Sequence, residues 1–82
     1  MPPLTKLALL NEQTWDQVGA TAEAIGDTDR AVHAYENALR HNPYSTVALS
    51  RLGALHRGRE AYAQAAECYQ RLLNIEAHHG EF

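Results

Sequence analysis

Gly19 returns as Gly53, Ala20 as Ala54, Ala31 as Ala65, Tyr35 as Tyr69 and Leu39 as Leu73, always after a step of 34 residues. A period of that length is one supersecondary unit copied, and small residues with an aromatic at fixed offsets make that unit a pair of closely crossing helices. Each unit buries its apolar face only by stacking on a neighbour, so the product is an extended surface rather than an enclosed pocket. Such a surface holds other molecules; it brings no reactive groups with it.

Composition narrows the classes further. With 82 residues and 7% aromatics, the chain has one thin core, of a size that leaves a stability of a few kcal/mol. A net charge of −3 and a pI near 5.9 argue against phosphate backbones and acidic lipid surfaces as direct partners. Cys68 is the single cysteine, so no internal disulfide forms, which fits a reducing compartment such as cytosol or nucleus. Met1 to Leu10 is too short in apolar residues for a signal peptide or a membrane span. Together these predict a soluble, intracellular protein. Residues 80–82, Gly-Glu-Phe, continue no pattern and are expected to be a tail.

The periodicity predicts four helices and no strand. Trp15, Val18, Ala22 and Ile25 place the first over 14–25, stopped at Gly26-Asp27. Asp27 or Thr28 caps the second, whose stripe of Ala31, Ala34, Tyr35, Ala38 and Leu39 runs to Asn42-Pro43. Ser45 or Asn42 caps the third, with Val47, Ala48, Leu49, Leu52 and Leu55 before a polar stretch at 57–60. The fourth runs from about Ala61 to Ile75, with Tyr62, Ala65, Ala66, Tyr69, Leu72 and Leu73 inward. Leu4, Leu7 and Leu10 either extend the first helix backward or form a turn over Trp15.

Trp15, Val18, Gly19, Ala22, Ala31, Tyr35, Ala38 and Pro43 fill the places of the pattern W-x2-L-G-x2-Y, A-x3-F, P, and Leu49, Leu52, Gly53, His56, Ala65, Tyr69, Leu72 and Ala77 fill it again. The chain therefore resembles the tetratricopeptide repeat family. That implies an all-α fold of two helix-turn-helix repeats, a fragment of a right-handed superhelical α-solenoid, with repeats at 12–45 and 46–79, an N-terminal extension or helix start at 1–11, and the tail. Small residues are needed at Gly19, Gly53, Ala31 and Ala65 because the paired helices cross there, while the aromatics fill the space between repeats. Glu60 stands where the first repeat has Gly26, and Ala77 where it has Pro43, so the turn geometry of the second repeat is the open point. About three repeats and a polar cap normally close such an array, so Ala66, Tyr69, Leu73 and Ile75 are expected to stay uncovered and to make the isolated chain self-associate.

A longer run is more specific. Thr14-Trp15, then 22–31 (Ala-Glu-Ala-Ile-Gly-Asp-Thr-Asp-Arg-Ala), Ala34-Tyr35, Asn42-Pro43 and Ala48-Leu49 resemble the first repeat of the fungal general transcriptional corepressor subunit that carries a tetratricopeptide array; Ala65-Ala66-Glu67 and Tyr69 resemble its second. The likeness covers about residues 12 to 79. It implies a nuclear adaptor whose first repeats dock the helical N-terminal region of a WD40-repeat corepressor, with DNA-binding repressors reached through the full-length array and no direct nucleic-acid contact. The alternative is a scaffold module of another multiprotein complex.

In such arrays one face of each repeat's first helix lines the concave wall. Here that face presents Gln13, Asp16, Gln17, Ala20, Glu23 and Ala24, then Val47, Ser50, Arg51, Ala54 and Arg57. An acidic helix beside a basic one suits a helical ligand carrying both charges, with Ala20 and Ala54 leaving room for its apolar side chains. Recognition of a chaperone's terminal carboxylate is excluded, since it needs converging Lys, Asn and Arg donors where Asp16 and Ala20 stand.

No catalytic, metal or cofactor site emerges. Cys68 has no His one helical turn away to ionise it. His78 and His79 are adjacent and point apart, and His33, His41 and His56 are scattered. Asp27 and Asp29 lack the further oxygen ligands calcium needs and serve better at a helix start.

Overall fold

A computed structural model describes residues 5–79, with the side chains of residues 78 and 79 left aside. Four helices follow one another: α1 (Lys6–Ala24), α2 (Thr28–His41), α3 (Thr46–Gly58) and α4 (Tyr62–His79). The pairs α1–α2 and α3–α4 are hairpins, and α3 packs on α2 to stack the second hairpin on the first. The expected all-α architecture holds, with no strand among the described residues.

The starts of α1, α2 and α3 each carry their own stop on fraying. Thr5 Oγ1 accepts from the Ala8 amide, Asp27 Oδ1 from Arg30 and Ser45 Oγ from Ala48, each satisfying an amide that the first turn leaves orphaned. Asp27 thus caps α2, and Ser45 caps α3. Asn42 ends α2 instead: its amide nitrogen donates to the Ala38 carbonyl, and its Oδ1 takes the Tyr44 amide.

Both hairpin turns share one geometry. The Asp27 amide reaches back to the Ala22 carbonyl at 2.9 Å, and the Ala61 amide to the His56 carbonyl at 2.8 Å, with Gly26 at φ +80° and Glu60 at φ 61° between them. The substitution that left the turn open in the sequence therefore leaves the turn unchanged and stores strain, because a left-handed residue with a Cβ costs about 1–2 kcal/mol. Glu60→Gly is expected to raise stability by about 0.5–1 kcal/mol after the larger chain entropy of glycine is subtracted. Thermal unfolding checks this, and a lowered midpoint would contradict it.

Of the two readings of the first turns, backward extension holds: α1 begins at Lys6, with Leu7, Leu9 and Leu10 67%, 40% and 51% exposed; the Thr5 cap rather than burial starts the helix. Leu4 and residues 80–82 lie outside the described residues. Other expectations are corrected. α4 runs past Ile75 to His79, since Ala77 continues a helix that Pro43 interrupts in the first repeat. On α4, Tyr62, Ala66 and Leu73 face outward, with Tyr62 63% and Leu73 61% exposed. α3 supplies most of the packing against α4, so its buried line narrows to Ala65 and Cys68, with Tyr69, Leu72 and Ile75 half-buried. Val18, Ile25 and Val47 are likewise 44%, 71% and 54% exposed.

The core is a single cluster. Tyr35 and Leu49 are its largest fully enclosed side chains, among Ala22, Ala31, Ala38, Ala48 and Leu52. Tyr35 lies flat against Gly19, where an added Cβ would sit 2.6 Å from the ring's Cζ, and Tyr69 repeats this at Gly53 at 3.0 Å. The aromatics therefore fill the crossing inside each hairpin, where they were expected between repeats.

Candidate partner-docking face

Glu12, Asp16, Ala20 and Glu23 succeed one another at helical spacing and share one face of α1. Arg51 reaches that face from α3, with Nη1 3.4 Å from Glu23 Oε2. The same oxygen accepts the Tyr35 hydroxyl from α2 at 2.5 Å. Burial first, then Glu23, hold the Tyr35 hydroxyl well above its ordinary range, so it stays a donor. The exposed Arg51–Glu23 pair contributes under about 1 kcal/mol; its consequence is placement, since it ties the two hairpins across the face that both present.

Asp16 is the unusual member. Its Oδ1 is enclosed and has no hydrogen-bond partner, and burial, then the Glu12 carboxyl beside it, push its pKa up to about 7, with Arg51 pulling the other way. Glu12 is anchored by Asn42 Nδ2 at 2.9 Å. An acid raised in the folded state is more stable where it keeps its proton. Folding therefore loses stability as pH rises from about 3.8, where the unfolded carboxyl ionises, to about 7, where the folded one does. Asp16→Asn is expected to unfold at a higher temperature than the parent at pH 8, with the gap closing near pH 4. Equal gaps at both pH values would contradict the assignment.

The structure brings Asp16, Glu23 and Arg51 of the expected set together. Gln17 instead lines a hollow with Thr14, Val18, Thr21, Ile25 and Arg30, while Val47 and Ser50 line another together with Arg51, Leu72 and Glu76. Gln13, Ala20, Ala24, Ala54 and Arg57 are exposed. Glu12 and Tyr35 were missed: the first lies in the turn that precedes residue 14, and the second appears in sequence only as a packing residue. Cys68 is 6% exposed and burial pushes its thiol up, the setting of an inert thiol. No described helix is long and apolar enough to cross a membrane.

The tetratricopeptide repeat model matches residues 12–55, spanning α2 and most of α1 and α3. The chain belongs to the tetratricopeptide repeat family. Among curated proteins, this tetratricopeptide chain is 49% identical over 76 residues to the general transcriptional corepressor trfA of Dictyostelium discoideum, covering 93% of the chain and 6% of that protein. It is 45% identical over 75 residues to the general transcriptional corepressor ssn6 of Schizosaccharomyces pombe, covering 92% of the chain and 7% of the relative. A third, CYC8 of Saccharomyces cerevisiae, is 42% identical over 43 residues, covering 52% of the chain and 4% of the relative. The chain thus spans a small part of the corepressors it matches. No solved structure matches it.

Proposed function

We propose that this chain is the docking part of a transcriptional corepressor, acting in the nucleus without catalysis. Its α1–α3 face receives the helical N-terminal region of a WD40-repeat corepressor, and DNA-binding repressors are reached through the rest of the array. One observation carries the proposal: identity of 49% to a general transcriptional corepressor extends over 93% of the chain. The charge pattern supports a helical ligand. Glu12, Asp16 and Glu23 concentrate acidic residues on α1, while Arg51 and Arg57 lie one hairpin away on α3.

Co-purification with the N-terminal helices of a WD40 corepressor tests the partner; a stable complex is expected, and its absence leaves a scaffold module of another assembly. Reversing Arg51 and Arg57 to Glu is expected to weaken that complex more than about tenfold while the helical signal is kept. Both side chains are exposed, so folding survives the change. Unchanged affinity would remove them from the face.

A further inference from the structure

The contact between the two hairpins is a template, and both outer faces of the chain repeat one half of it. α3 buries Ala48 and Leu52, at 0% and 4% exposure, against the first hairpin, but their counterparts one period earlier on α1, Thr14 and Val18, are open, with Val18 44% exposed. On the receiving side, Ala38 is buried and Leu39 half-buried, whereas their counterparts one period later, Leu72 and Leu73, are half-buried and 61% exposed. The open α1 face bears the knobs and the open α4 face receives them, and the two fit each other in the register already used inside the molecule.

We propose that a second copy of this chain stacks head to tail on the first, the α1 face of one against the α4 face of the other. The polar bonds at the internal junction translate without conflict. The Arg59–Asp29 pair, at 2.7 Å, maps onto Ile25 and Ala63, an apolar contact that covers the 71% exposed Ile25. The Arg51–Glu23 pair maps onto Gln17 and Arg57, a carbonyl facing a guanidinium. No like charges meet at these positions. Because the two faces differ, the contact is heterologous and leaves a free face at each end, so assembly grows past the dimer with concentration.

Single-face variants test this. Val18→Asp and Leu73→Asp place a carboxylate on one face each, and both positions are exposed, so far-ultraviolet circular dichroism is expected to match the parent; Ile25→Asp replaces Val18→Asp should that variant lose helix. In sedimentation equilibrium from micromolar to millimolar concentration, the parent chain is expected to exceed the dimer mass, and each variant alone to stay monomeric. Their equimolar mixture is expected to give a one-to-one dimer that grows no further, since each supplies the face the other lacks. A monomeric parent at millimolar concentration, a monomeric mixture, or a dimer of Val18→Asp alone, which marks a symmetric α4 contact, would each overturn head-to-tail stacking.

Discussion

Gly19→Ala is expected to lower the stability of the folded chain by about 2 kcal/mol, although alanine is worth up to about 1 kcal/mol more than glycine in a helix interior. The new methyl carbon would stand 2.6, 2.7 and 2.9 Å from Cζ, Cε1 and Cε2 of Tyr35. That ring is 1% exposed and its hydroxyl is held by Glu23, so it has nowhere to go, and overpacking of a closed core costs about 1–3 kcal/mol or more. For a domain this small, such a loss lowers the unfolding midpoint by roughly 10 °C. Gly53→Ala is the internal control. Its methyl would meet Tyr69 Cζ at 3.0 Å, and Tyr69 is only half-buried and able to move, so strain and helix preference nearly cancel. The measurement is the difference between the two variants in urea; equal stability would mean that the two hairpin crossings are not graded as the structure grades them.

Leu49→Ala is expected to cost about 2–5 kcal/mol, enough to leave little of the native state. Leu49 is 0% exposed and belongs to the core that both hairpins share. It occupies the place that Trp15 holds one period earlier, where the tryptophan is only half-buried. Removing its branched end opens a void at the contact of α3 with α2, where stacked repeats derive their coupling. Val47→Ala, on the same helix but 54% exposed, is expected to change stability by less than about 0.5 kcal/mol. Chemical denaturation of the pair reads the contrast directly. Comparable losses would place the junction elsewhere.

What the sequence disclosed and what it hid divide along physical lines. The 34-residue step placed Gly19 and Gly53 at the crossing inside each hairpin, because close helix approach demands a small residue there, but it assigned Tyr35 and Tyr69 to the space between repeats, and only the structure sets their rings against those glycines. The caps were narrowed to two residues each, and the choice of Asp27 and Ser45 followed from which side chain reaches its amide. The start of α1 was left between a backward extension and a turn because Leu7, Leu9 and Leu10 are exposed: apolar spacing locates helices through burial, and this turn has none. The outward Tyr62, Ala66 and Leu73 were hidden for the complementary reason. A stripe on α4 says which residues are apolar, but how much of it is covered depends on how many helices lie against it. At the proposed docking face, Asp16, Glu23 and Arg51 were legible as opposite charges on equivalent helices. The raised affinity of Asp16 for its proton was not, since it arises from burial and from Glu12 one turn earlier.

Mapping the partner onto the chain tests the central claim most directly. With the chain labelled with nitrogen-15 and titrated with the N-terminal helical region of a WD40 corepressor, amide shifts are expected to concentrate at Ala20, Glu23, Arg51 and Ala54, with Glu36 and Gln64 on the hollow beside Cys68 unmoved. Shifts centred on that hollow, or none at saturating ligand, would contradict a docking surface formed by α1 and α3.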